Sequence, residues 1–129
     1  MNYYIREFYF FIIVICLLGI FLFVRTAQGD FSPIVISEIG ASEVSDMEWI
    51  EIVNRSGEAV DMEGWKFFED GANHKLTLVS GTSTIPAGGY AVIAKDASAV
   101  TSTYDLDCAV FDSSWGALNN EGEEIGLKN

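Results

Sequence analysis

The segment Glu48-Trp49-Ile50-Glu51-Ile52-Val53-Asn54 constrains the fold of this chain more than any other. Successive side chains of a strand point to opposite faces. One face therefore carries Glu48, Ile50, Ile52 and Asn54, and the other carries Trp49, Glu51 and Val53. Bulky apolar groups on both faces need cover on both sides, so the strand, read as Met47–Asn54, is expected in the middle of a sheet and not at its edge. Asp61-Met62-Glu63-Gly64-Trp65 follows as a tight turn that delivers a tryptophan into the next strand. Gly64 is expected in the left-handed region, where a Cβ is costly.

From Ile34 onward the chain alternates short apolar runs with turn signals and shows no helical period. Expected strands are Ile34–Ile39, Met47–Asn54, Trp65–Glu69, His74–Val79, Gly89–Lys95, a short Cys108–Phe111 and Glu124–Leu127. Asp70-Gly71 is a hairpin turn dipeptide. Ile85-Pro86-Ala87-Gly88 fits a type I turn, and Ala97–Thr103 reads as loop. Strands at such intervals, with no helix between them, indicate an all-β, immunoglobulin-like sandwich spanning residues 30–129. The sequence ends just after the Glu124–Leu127 strand, with the expectation that the sandwich lacks its last strand or that more chain follows.

Residues 1–29 have a different character. Phe8 to Val24 is an unbroken run of 17 apolar or aromatic residues with one glycine, flanked by Arg6 and Arg25. It is expected to form a hydrophobic helix, as a secretory h-region or a short membrane anchor; Ala27-Gln28-Gly29 offers a cleavage site before Asp30. Having no polar face, it does not suit a buried core helix in so small a domain. Either of the first two readings exports the remainder and brings membrane contact through residues 8–24 if the segment is retained. A location outside the cell or on its surface is expected.

Residues 30–129 hold five cations (Arg55, Lys66, Lys75, Lys95, Lys128) against 18 acids, a formal charge of −13. This field disfavours nucleic acid and anionic lipid, and it favours cationic partners and divalent metal. The cysteines are two, Cys16 in the apolar run and Cys108 in the domain, so there is no disulfide framework. Ile15 is too bulky for a lipidation signal at Cys16. Cys108 reads as a buried small apolar residue, with an intermolecular disulfide as the alternative.

The chemistry-bearing residues do not assemble into a reaction. Glu48 and Glu51, three apart on a strand, point to opposite faces and cannot act as an acid–base pair. With Glu38 they read as carboxylates at the sandwich rim or as acceptors for loop amides. His74, the single histidine, has neither a nucleophile elbow nor zinc-ligand spacing around it. Asp105-x-Asp107 with Asp112, and Asp61-x-Glu63 with Glu69-Asp70, are oxygen-rich stretches of the kind that hold calcium, though neither matches an EF-hand loop. Trp49, Trp65 and Trp115 with Tyr90 offer a stacking platform for carbohydrate or peptide. The alternative places Trp65 and one other in the core and leaves Trp115, in a loop, as the exposed aromatic. No catalytic, cofactor or metal residue is assigned.

The runs Ile36-x-Glu38-Ile39, Glu48-Trp49-Ile50-Glu51-Ile52-x-Asn54, Asp61-x-x-Gly64-Trp65, Ile85-x-x-Gly88-Gly89-Tyr90-x-Val92-Ile93 and Leu118-Asn119-Asn120-x-Gly122-x-x-Ile125-x-Leu127 together resemble the lamin-tail domain family over about residues 34–128. The resemblance implies an immunoglobulin-like sandwich acting as a non-catalytic binding or structural module, of the type found in exported bacterial proteins. It implies a protein or cell-envelope polymer as partner. Two further readings stand beside it. One is an accessory piece of a larger exported hydrolase of nuclease or phosphoesterase type, with its catalytic part beyond Asn129; the other is calcium-dependent adhesion. There is no coiled-coil rod, and the apolar N-terminal run argues against a nuclear location.

Overall fold

The computed structural model describes residues 31–41 and 45–129. The apolar run and cleavage site at residues 1–29 lie outside the described residues. None of the described helices is long and apolar enough to cross a membrane.

Among the described residues ten strands run in chain order: β1 (Ile34–Gly40), β2 (Trp49–Asn54), β3 (Val60–Asp61), β4 (Lys66–Glu69), β5 (Ala72–Lys75), β6 (Thr77–Ser80), β7 (Thr84–Ile85), β8 (Tyr90–Ala94), β9 (Ala109–Asp112) and β10 (Ile125–Lys128). One helix, α1 (Ala97–Thr103), lies between β8 and β9. A five-stranded sheet has the order β1-β2-β8-β9-β6, a three-stranded sheet the order β10-β4-β5, and β3 pairs with β7 alone.

The main core lies between the two larger sheets. Ile50 and Ile52 of β2, Ala91 and Ile93 of β8 and Phe111 of β9 pack with Phe67 of β4 and with Trp65, Leu76 and Trp115; Ile125 and Leu127 of β10 close its edge. The predicted strand alternation is realised here. The inward residues of β2 are buried, while Trp49, Glu51 and Val53 face the other way and are half-buried. As expected, β2 is central, with β1 and β8 on its two sides.

The outward face has its own cover. Val92, Ala94 and Val110 form a second apolar cluster with Ala97 and Val100 of α1, flanked by Trp49, Leu106 and Cys108. The unit Ser32–Asn129 is thus a β-sandwich whose larger sheet carries a helix on its outer side.

That helix corrects the expected loop at Ala97–Thr103. Strands β8 and β9 are parallel neighbours, and a parallel pair needs a crossover that returns the chain along the sheet. The crossover is helical, and its start is tied twice. Asp96 is the N-cap, its carboxylate accepting the Ala99 N–H at 2.9 Å, and Asp112 Oδ2 accepts the Ala97 N–H at 3.0 Å. Thr101, Ser102 and Thr103 donate their hydroxyls back to carbonyls of the preceding turn. Such residues are poor helix formers, and seven residues give too few apolar positions for a period to show.

Three boundaries also differ from expectation. Ser45–Met47 form a single 3-10 turn, so the strand begins at Trp49 and Glu48 lies just before it. The predicted strand His74–Val79 is two strands: β5 belongs to the small sheet and β6 to the large one, with Leu76 buried at the crossing. The proline turn is one residue later than expected, closed by Gly89 N–H to Pro86 O at 2.8 Å with Gly88 at φ 71°, so glycine occupies the third position. This is the type II arrangement. Gly64 has φ 81°, and Asp70 and Gly71 have φ 40° and 85°, as their turns require.

Candidate interaction surface

The residues singled out in the sequence are largely spent on holding the fold. Glu48 is buried at 2 % exposure. Its backbone carbonyl accepts the Lys95 N–H at 3.0 Å. Its carboxylate accepts the Trp115 indole N–H at 3.1 Å and the Leu118 N–H at 3.0 Å. Glu48 therefore fastens the long segment after β9 to the start of β2, in the amide-accepting role expected of it. Glu51 accepts the Ser37 hydroxyl at 2.7 Å on the outer face.

Trp115 is not the exposed aromatic. It is buried, with its ring centroid 4.8 Å from that of Phe67 at an interplanar angle of 57°. The indole has a single polar handle, and the Glu48 carboxylate satisfies it inside the core. Trp65 is also buried, Trp49 lies on the opposite side of the large sheet, and Tyr90 is exposed. The four rings do not form a platform.

The calcium candidates do not converge either. Asp112 is committed to the start of α1. Asp61 accepts the Glu63 N–H at 3.0 Å, and its carboxyl is held below the usual carboxylate range by the Ser83 hydroxyl and then by that amide. Glu69 turns inward, with Oε2 3.2 Å from His74 Nε2, an approach outside hydrogen-bond geometry. Among the described residues, no group of three or more His, Cys, Asp or Glu side chains is disposed to hold a metal. His74 has Phe67 and Glu69 for neighbours, which is a core-edge setting.

Asn54 was legible in the sequence only as part of a motif, and it is the most heavily bonded side chain described. Fully buried, its amide donates to the carbonyls of Glu58 (2.7 Å), Ile85 (2.9 Å) and Pro86 (3.1 Å). Its side-chain oxygen accepts the Ser56 N–H and hydroxyl. One residue thereby locks the turn after β2 to the proline turn before β8.

One exposed stretch of the surface is free of charge. Residues 76–94 contain no charged side chain, although the chain as a whole carries 19 acids. Within this stretch β6 is an edge strand, exposed along its whole length, and it presents Leu78 and Val79 to solvent at 40 % and 53 %. Its pairing with β9 skips Val79, a bulge that turns this residue out of the ladder. The opposite edge, β1, also carries a bulge, but it is guarded by Glu38. Charge on an edge strand is a common guard against pairing with another chain, and β6 has none.

The end of β6 opens on a cavity of about 570 Å³ lined by residues that include Ser80, Gly81, Thr82, Tyr90, Asp107 and Cys108. Gly81, at φ 79°, allows the loop to lie on β9: a Cβ there would stand 2.9 Å from Ala109 Cα. Tyr90 is half exposed at this cavity. Cys108 is half-buried, not fully buried as expected. Burial, followed by the charge of Asp107, raises its thiol pKa. That environment disfavours the thiolate and marks no nucleophile.

An immunoglobulin-like β-sandwich with Glu48, Trp65 and Trp115 built into its core, and with an uncharged edge at β6, belongs to the class of immunoglobulin-like domains. Residues 27–129 match the lamin tail domain family, and the chain belongs to that family. It is a family of non-enzymatic, immunoglobulin-like domains that generally serve protein interaction. No curated protein and no solved structure matches the chain.

Proposed function

We propose that this chain is an exported, surface-located interaction module that engages a protein partner through the uncharged edge strand β6 and the cavity at its end. The observation that carries the reading is the pair Leu78 and Val79, exposed on an uncharged edge of a domain that is acidic elsewhere. Apolar side chains on an edge strand supply side-chain contacts, and the strand's free backbone groups supply hydrogen bonds to an added segment. The bulge at Val79 limits the length of that pairing, which suits a bounded contact better than indefinite sheet growth. Export is supported by the apolar run Phe8 to Val24 and the small residues Ala27 and Gly29.

Two measurements test this. Intact-mass analysis of membrane and exported fractions of producing cells reads location: a chain starting at Asp30 outside the cell, or a full-length chain in the membrane, supports export, and a full-length chain in the cytosol refutes it. A photo-crosslinking residue at Val79, compared with one at Glu121, reads the surface. Protein adducts at Val79 that disappear in Leu78→Lys support the face; equal adducts at both positions, or none at Val79, overturn it.

A further inference from the structure

The outer side of the large sheet holds a second, smaller cavity, independent of the β6 face. Its volume is about 110 Å³, and Trp49, Glu51, Val92, Val100, Tyr104 and Leu106 line it. Val92 and Val100 are buried and form an apolar floor between β8 and α1. Trp49 is held in place against Gly40, where a Cβ would overlap the indole. Tyr104 caps α1, its N–H bonded to Val100 O at 2.9 Å, and its side chain is 47 % exposed. Glu51 is the one charged residue of the lining, and the Ser37 hydroxyl holds its carboxylate at 2.7 Å.

Two aromatic rings, one carboxylate and a floor of valine and leucine make a particular chemical demand. Aromatic faces attract cations, and a carboxylate supplies the countercharge. Apolar walls suit methyl or methylene groups and give nothing to a heavily hydrated ion. The surrounding charge of −13 repels anions. A neutral hydrocarbon would bring the carboxylate no partner. The volume equals roughly four water molecules, the scale of an alkylated ammonium group.

We propose that this pocket binds a methylated ammonium group, carried either by a methylated lysine side chain of a partner or by a small free quaternary ammonium compound. The group sits against Trp49 and Tyr104 with its charge toward Glu51.

The test is a titration of the full-length chain in a maltoside detergent, following the Trp49 indole N–H resonance, assigned from Trp49→Phe. The probes are choline, its neutral carbon isostere dimethylbutanol, and Nα-acetyl-trimethyllysine amide. Saturable choline binding, about tenfold tighter than the isostere and weakened about tenfold in Tyr104→Leu and in Glu51→Gln, is expected from the size of a partly desolvated cation–π contact. Tyr104 is exposed, so its replacement leaves the core intact and Tm unchanged; it keeps the test valid if Glu51→Gln perturbs folding. The trimethyllysine amide binding tighter than choline identifies a protein side chain as the source, and weaker binding identifies a small compound; both uphold the site. Absence of saturable shifts, equal affinity for the neutral isostere, or full affinity in Tyr104→Leu overturns it.

Discussion

The Glu48 carboxylate and the Trp115 indole, 67 positions apart in the chain, are joined by a buried hydrogen bond of 3.1 Å. The same carboxylate takes the Leu118 N–H, so one acid serves two donors that would otherwise be stranded. In Glu48→Gln the side chain keeps one acceptor and brings donors of its own toward those N–H groups. Losing satisfaction of one buried donor costs about 1–3 kcal/mol. A fall in Tm of roughly 4–8 °C per kcal/mol is expected for a domain of this size. A double-mutant cycle with Trp115→Phe, read by thermal denaturation of the full chain, should show clear coupling; strict additivity would show that the bond contributes nothing.

Asn54 poses a sharper case. In Asn54→Asp the shape is kept, but three donated bonds, to Glu58, Ile85 and Pro86, become contacts between a carboxylate and carbonyl oxygens. We expect a loss of about 3 kcal/mol or more, at the upper end of single-substitution effects. Denaturant unfolding checks it, and a change below about 1 kcal/mol would mean that the two turns hold without this residue.

Gly81 and Gly88 both have positive φ, at 79° and 71°, yet they differ in surroundings. Nothing lies within 4 Å of a Cβ at Gly88, whereas one at Gly81 meets the Ala109 backbone. Gly88→Ala should cost only the conformational penalty, about 1–2 kcal/mol. Gly81→Ala should cost more and should also alter the β6–β9 end of the cavity, seen as shifted amide resonances of Ser80 and Ala109. Equal losses at the two positions would contradict the close approach.

Cys108 predicts a pH dependence. Its thiol pKa is raised above 9.0, first by burial, then by Asp107 and, after a backbone hydrogen bond that lowers it, by Glu51. A raised folded-state pKa favours the protonated folded form, so its contribution is fully present below the ordinary thiol value. It is lost as pH rises past that value and through the folded pKa. Alkylation of Cys108, followed by peptide mass mapping at pH 8, should be slow and should accelerate in Asp107→Asn. Chain stability should fall more steeply above pH 9 than in Cys108→Ala. Alkylation unchanged by Asp107→Asn would count against the electrostatic part.

Much of the architecture was legible in order of sequence. Period-two patterning at Ile50 and Ile52 marked the core face of a central strand, and Gly64, Asp70 and Gly71 marked turns whose φ values only a few residue types tolerate. The family resemblance was legible for the same reason, since its motifs are these strand and turn residues. The neutral run at residues 76–94 was also visible in the sequence, but its meaning was not. An uncharged stretch becomes a surface only when its strand lies at an edge.

Local sequence determined where this chain turns, which strands are apolar on two sides, and how acidic the domain is. These properties depend on residues close together in the chain. Tertiary structure alone decided that β8 and β9 run parallel with α1 between them, that Trp115 enters the core, and that Trp49, Glu51 and Tyr104 share a pocket. Each of these depends on partners distant in the chain, from 15 positions for Ala97 and Asp112 to 67 for Glu48 and Trp115. Asp112 reaches the start of α1 because β9 returns beside β8, and the Trp115 N–H finds its acceptor inside the core because the fold brings Glu48 to it.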